Sequence, residues 1–378
     1  MELIITNARI VMRNAVMGGT VCVSDGIIRE VYEGKTNVAG ALDFDGDLLL
    51  PGLIEIHTDN LEKHLIPRPG ILWPSPVAAL LSHDNQISGA GITTVLDAIF
   101  IGEYHKGGMR RQILAASIDA VKKTQKAGLL RSDHMLHLRC EISDAAVIDL
   151  FRSFVDDPVV RLVSVMDHTP GQRQWSDLEK YRQYNRDKQW TDEEFEKNLR
   201  HRKEMQKRFA VNHRRWILSV CRKKHLPVAT HDDTTAAHCE ESVSDGIVIS
   251  EFPTTIEAAR KARELGMKII MGAPNLVRGN SHSGNVSAMA LAREGLLDGL
   301  SSDYFPSSLL HGAFVLNQKL DIPLPEAVAK VSANQADLLG LEDRGEISIG
   351  KRADFIRVQT FEQLPIITAV WRFGKRIR

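Results

Sequence analysis

Cysteine is scarce in this chain of 378 residues: there are four, Cys22, Cys140, Cys221 and Cys239, and no Cys-x-x-Cys pair. Such spacing excludes a disulfide framework or a cysteine-built zinc knuckle and fits a reducing cytosol. Net charge is lacking as well, since 48 Lys and Arg balance 48 Asp and Glu. That balance argues against bulk binding to nucleic acid or to an acidic membrane, while leaving room for a local basic pocket. No apolar run reaches the roughly 20 residues that span a bilayer. The N-terminus shows no basic stretch leading into a long apolar core, so no signal peptide is expected and the expected location is the cytoplasm. A Gly-x-x-x-x-Gly-Lys-Ser/Thr run is missing, which excludes a P-loop. The five tryptophans are scattered and build no stacking platform for nucleic acid.

What is present is a regular alternation of short apolar runs with helical patterns. Candidate strands fall at 53–57, 92–97, 135–140, 161–166, 227–231, 247–252, 268–272 and 299–302. Helical periodicity runs through 111–126, 257–265 and 286–297. Eight strands with intervening helices imply an α/β fold, a (β/α)8 barrel over about 51–340. Residues 2–34 alternate apolar and polar, with turn signals at Gly18-Gly19 and Asp25-Gly26. The C-terminal segment alternates in the same way, so 1–50 and 341–378 are expected to pair into one small β domain. The stretch 171–216 is crowded with Arg, Lys, Glu, Gln and Asn. It reads as a helical insertion after the fourth strand, either a solvated face or a cover over the site.

Barrels of this kind carry their chemistry at the C-terminal ends of their strands. Here the first strand ends in His57 and Asp59, one residue apart and therefore on one face. The second ends in Asp97, the third in Glu141 and the fourth in Asp167-His168. The fifth ends in His231-Asp232-Asp233, the sixth carries Glu251, and the eighth ends in Asp303. Buried carboxylates and imidazoles are costly unless paired or metal-bound. The expected ligands of a divalent-metal centre are His57, Asp59, Glu141, His168, His231 and Asp303. The supply suits two ions, with Glu141 as the bridge because no lysine closes a strand. Asp303 suits a general base. Asp97, Asp167, Asp232 and His238 are assigned to orienting those ligands. Zinc is the first expectation, with manganese and iron as alternatives.

After the seventh strand comes the glycine-rich segment 272–285, whose amides could cradle an anion. Arg278 and His282 within it, together with Arg68 and Arg173, are the candidate substrate-binding cations.

The run Pro51-Gly52-Leu53-Ile54-Glu55-Ile56-His57 and the closing Gly345-Glu346-Ile347-Ser348-Ile349-Gly350-Lys351-Arg352-Ala353-Asp354-Phe355 resemble the amidohydrolase superfamily over essentially the whole chain. The resemblance implies a distorted (β/α)8 barrel with a β-sandwich built from both chain ends. His57-Thr58-Asp59 stands where most members have His-x-His, and Glu141 where many carry a carbamylated lysine. That departure is similar to the membrane-dipeptidase branch. Further motifs, among them Met166-Asp167-His168-Thr169-Pro170-Gly171-Gln172-Arg173-Gln174, Glu251-Phe252-Pro253-Thr254-Thr255 and Ser301-Ser302-Asp303-Tyr304, resemble the phosphonate-metabolism hydrolases of the carbon–phosphorus lyase pathway. That likeness implies hydrolysis of α-D-ribose 1-methylphosphonate 5-triphosphate to the 5-phosphate and diphosphate, a functional link to the other enzymes of that pathway, and no nucleic-acid or membrane partner. A homodimer is expected from the superfamily alone. The competing reading is an amidase or deaminase acting on a C–N bond of a small cyclic substrate, and a non-catalytic scaffold is the third.

Overall fold

The computed structural model describes residues 3–68, 70–102, 109–281 and 284–378. Two eight-stranded sheets organise the chain. The first is built from both ends. Strand Leu48–Pro51 sits at its seam, parallel to Leu3–Val11 on one side and antiparallel to Phe355–Phe361 on the other. Alternation along Leu3–Val11, shifted by a register irregularity between Ile5 and Ala8 where Asn7 has positive φ, sends Ile5, Ala8 and Ile10 into a small core with Phe44, Leu49, Phe355 and Trp371. Asp25 and Gly26, both at positive φ, turn strand Val16–Ser24 back into Ile27–Glu33, as the sequence suggested. Gly18-Gly19 is not a turn. Both residues lie within Val16–Ser24, and the chain reverses earlier, where Met12 N donates to Ala15 O at 2.9 Å. Gly19 is required for close approach, because a Cβ there would strike the carbonyl oxygen of Tyr32.

The second sheet is parallel and runs in strict chain order through Leu53–Thr58, Ile92–Ile101, Asp133–Glu141, Val160–Met166, Val228–His231, Ile249–Glu251, Lys268–Gly272 and Gly299–Ser301. It curls until the last strand meets the first at the Thr58–Asp303 bridge. Ile54, Ile56, Leu96, Leu162, Ala229, Ile249 and Ile270 fill the barrel, while the helices bury a larger apolar layer outside it. At the N-terminal face Asp133 ties barrel to end sheet, accepting from Arg344 at 2.7 Å, Arg352 at 2.6 Å and Arg372.

The insertion after the fourth strand is helical. Leu178–Tyr184 is followed by Asp192–Lys224, which starts at a capping box formed by Thr191 and Glu194. That helix has 33 residues, and its two halves do different work. Ile217, Leu218 and Cys221 pack into the layer around the barrel. Phe195 and Leu199 form a separate small core with Trp175 and Tyr181 above the strand ends.

Candidate metal centre

The C-terminal mouth of the barrel opens into a cavity of about 1300 Å³. Two clusters of groups able to ligate a metal meet at its floor, with His57, His168, His231 and Asp232 on the cavity wall and His137 and Glu251 buried behind them. In the first, His57 Nδ1 lies 3.1 Å from Glu251 Oε1, and His137 Nε2 lies 3.9 Å from Glu251 Oε2. His137 Nδ1 is 3.0 Å from the carbonyl of Ile56. A carbonyl only accepts, so Nδ1 carries the hydrogen and Nε2 presents a lone pair. In the second cluster, Asp232 Oδ2 lies 3.5 Å from His168 Nε2 and 3.4 Å from His231 Nε2. His231 joins the two, with its Nδ1 3.3 Å from Glu251 Oε2.

Among the described residues two buried acceptor atoms in this small volume have no hydrogen-bond partner, Asp59 Oδ1 and His137 Nε2, and Asp232 Oδ2 has only its long contacts with the two histidines. Buried lone pairs left unsatisfied cost roughly 1–3 kcal/mol each, and a cation among them removes that cost. Burial, against the pull of Glu251, holds His57 near 4 and His137 near 3, so both imidazoles are neutral at pH 7 and free to ligate. His168 behaves differently. Burial opposes its protonation, but contacts with Asp232 and Glu141 raise it to about 9. A metal ion would take the place of that proton. The residues therefore fit a divalent cation.

Asp303 closes the ring. Its backbone N donates to His57 O at 3.1 Å, and its carbonyl accepts from Asp59 N at 3.2 Å and Thr58 Oγ1 at 2.7 Å. Burial, and then the charge of Asp59, push its carboxyl up to about 7. Asp232 and Phe252, each directly after a barrel strand, and Asp303, two residues after the last, all have positive φ. Non-glycine residues in that region cost on the order of 1–3 kcal/mol and cluster at functional sites. Here the bends bring the carboxylates back over the mouth.

Several sequence expectations need correction. Glu141, expected as the bridge, lies in neither mouth cluster. Its carboxylate is 2.8 Å from His168 Nδ1 and accepts from the His168 amide and from Ser143 Oγ at 2.7 Å. Asp232 sits between two histidines in the position expected of a ligand. Asp167 accepts from Thr169 N at 3.0 Å, Gln206 Nε2 at 2.8 Å and Gln172 Nε2, which fastens the insertion rather than a ligand. His238 Nδ1 accepts from Thr234 N at 3.2 Å, holding a turn. Arg173 is buried against Asp233 and the carbonyl of His231 and does not line the cavity. Arg68 and Arg278 are exposed and also lie outside the lining. His282 falls outside the described residues. The segment after the seventh strand begins with helix Ala273–Arg278, and Asn275, Ser281 and Asn285 reach the cavity wall. Among the described residues, the cations that line the cavity are Arg139, Lys188 and Arg202, with His201 beside them. His137 and Glu251 are the ligand-type residues that strand-end reasoning left unassigned.

Asp97 belongs to a different, wholly buried chain of polar groups. Its two oxygens meet His83 Nε2 and His134 Nδ1, each at 2.7 Å. His134 Nε2 faces Asp84 Oδ1 at 3.2 Å, and Asp84 also accepts from Ser132 N at 2.9 Å. With carboxylates at both nitrogens, His134 is an imidazolium. At the other end Asn60 Nδ2 donates to His83 Nδ1 at 3.0 Å and to Gln86 Oε1 at 2.9 Å. His83, Asp97 and His134 lie close enough to hold an ion. Unlike the mouth clusters, they leave no polar atom unsatisfied, so protons suffice. Asp97→Asn removes one partner of a buried pair and is expected to cost about 3–5 kcal/mol in urea unfolding. Burial opposes the protonation of His134, but Asp97 and Asp84 raise it to about 9. Its contribution to stability is complete below about pH 6.5, the ordinary histidine value, and is lost as pH rises through about 9. The wild-type Tm should fall across that window, and His134→Gln should flatten the slope. An equal slope in both would remove this histidine as the cause.

A parallel eight-stranded barrel with histidines and carboxylates gathered at its C-terminal mouth is the architecture of a metal-dependent hydrolase. The chain belongs to the amidohydrolase family, whose sequence profile matches residues 127–360. It is 46% identical over 378 residues to the alpha-D-ribose 1-methylphosphonate 5-triphosphate diphosphatase of Escherichia coli strain K12, covering 99% of this chain and 100% of that protein. Among solved structures, 5-methylcytosine deaminase from Klebsiella pneumoniae liganded with 5-fluorocytosine superposes with a TM-score of 0.67 at 15% identity, covering 100% of this chain and 97% of that one. N-isopropylammelide isopropylaminohydrolase from Burkholderia multivorans gives 0.65 at 14%, covering 99% and 97%. At such identities the two structures speak for the fold alone. No helix of the described residues is long and apolar enough to cross a membrane.

Proposed function

We propose that this protein is a metal-dependent phosphoanhydride hydrolase that converts α-D-ribose 1-methylphosphonate 5-triphosphate to the 5-phosphate and diphosphate, within carbon–phosphorus lyase catabolism of phosphonates. The observation that carries this reading is the 46% identity with the Escherichia coli diphosphatase along the entire length of both chains. We assign two divalent ions, zinc first and manganese or iron as alternatives. His57, His137 and Glu251 would hold one, and His168, His231 and Asp232 the other, with Asp59 alongside. When bound, such ions lower the pKa of a coordinated water to about 7 and withdraw charge from a phosphoryl oxygen.

The chain's own groups supply the rest. Asp303 would take the proton of the attacking water. The Phe252 ring stands edge-on to the His57 and His231 rings, with centroids 5.0 and 5.1 Å away, and keeps solvent from that side. Glu141 holds His168 through its Nδ1, leaving Nε2 directed at Asp232. The insertion walls the outer cavity with Trp175, Tyr184, Trp190 and Arg202, enough to enclose a sugar polyphosphate.

The test is diphosphate release by metal-loaded enzyme from the ribose methylphosphonate triphosphate, with ATP, GTP and a panel of cyclic amides alongside. Strong preference for the phosphonate sugar is the expected result. Ammonia or amine from the panel, with no diphosphate from any triphosphate, would overturn the reading.

A further inference from the structure

Arg139 has no role among the groups described so far, yet it stands in the middle of them. The third barrel strand runs Asp133–Glu141, and alternate residues share a face. His137 on that face turns to Glu251, and Glu141 turns to His168. Arg139 lies between them and lines the same cavity as His57, Asp59, His231, Asp232 and Asp303. Among the described residues its side chain makes no hydrogen bond and no ion pair, and its Nε is buried without a partner. Its charge is nonetheless felt at His57, His137, Asp232 and Asp303. A guanidinium this close to carboxylates ordinarily pairs with one. Here the carboxylates face the ligand clusters instead. With two divalent ions bound, their charge would be offset by the carboxylates of Asp59, Asp232, Glu251 and Asp303, and the guanidinium would remain without a carboxylate partner. A neutral amide or ring would leave it so. A phosphoryl group, with ionised oxygens arranged to meet a planar fork of donors, would pair with it.

We propose that Arg139 is a catalytic residue that binds the non-bridging oxygens of the phosphorus under attack and makes this mouth selective for anionic substrates. The proposal rests on the diphosphatase reading above. In the step it serves, the water oxygen forms a bond to phosphorus as the anhydride P–O bond between the first and second phosphates breaks. Diphosphate leaves with the bonding pair, and the water proton passes to the Asp303 carboxylate. Charge on the equatorial oxygens is compensated by the guanidinium, an effect that typically amounts to 10²–10³-fold or more in rate.

The experiment compares Arg139→Ala, Arg139→Gln and Arg139→Lys with wild type in three measurements: bound metal per chain, diphosphate release, and calorimetric binding of inorganic diphosphate to the metal-loaded protein. For Arg139→Ala and Arg139→Gln we expect full metal content and a kcat lower by about 10²–10³-fold. Free guanidinium should restore part of the activity of Arg139→Ala, and Arg139→Lys should fall in between. A kcat within about threefold of wild type, given the size expected for such a donor, would overturn the proposal. So would loss of metal in all three variants, which would make Arg139 a support for the ligands. If wild type releases no diphosphate from any triphosphate, the diphosphatase reading fails first. Inorganic diphosphate binding then decides for Arg139: weaker binding in the variants retains its anion role, and equal binding removes it.

Discussion

Asp303→Asn should lower kcat for diphosphate release by on the order of 10²–10⁴-fold while leaving bound metal close to the wild-type content. Asparagine is nearly isosteric and tolerates positive φ, so the bend at 303 is retained. The contacts that position it come from its backbone, through His57 O, Asp59 N and Thr58 Oγ1, and all three survive the substitution. What is removed is a carboxylate, raised to about 7 by burial and by Asp59, that can accept a proton near neutral pH. Metal analysis beside steady-state kinetics separates the roles. Loss of metal with loss of rate would make Asp303 chiefly a ligand, and an unchanged kcat would take it out of the reaction.

His137→Ala should show the opposite pattern, losing metal and activity together. The Nδ1–H of His137 is committed to Ile56 O, and its Nε2 is a buried lone pair with no other use. Among the described residues no other group joins His57 and Glu251 in that cluster. Activity should fall beyond the roughly 10–100-fold typical when a group that merely orients a ligand is changed. Elemental analysis should show fewer ions per chain than in wild type. Full metal content in a folded His137→Ala protein would exclude His137 as a ligand. The Asp303 and His137 predictions check each other, since one removes a proton acceptor at constant metal and the other removes metal at constant base.

The sequence by itself determined the barrel. Each of its eight strands is a short apolar run bounded by polar or glycine-rich breaks, and period-two alternation together with helical spacing locates it. The same local rules placed His57, Asp59, His168, His231 and Asp303 at the mouth, because a strand end is visible in one dimension. Tertiary structure decided which of the remaining groups meet. His137 lies four residues before the end of its strand, about 13 Å at 3.3 Å per residue, and reads as barrel interior. Barrel closure staggers the strands, however, and the eight ends do not share a level. Pairing of Thr58 with Asp97, and of Asp97 with Leu136, puts His137 near the level of His57. On the other side Glu141 pairs with Met166, and His231 with Glu251. That stagger is why Glu141 meets His168, and why Glu251 stands between histidines 194 and 20 residues away in sequence. The cations were decided in the same way. Arg173 looked available in a polar segment but is spent on Asp233, while Arg139, with no partner in its own strand, is left facing the cavity. Which charges are neutralised within the protein depends on contacts between distant segments, and no local pattern records them.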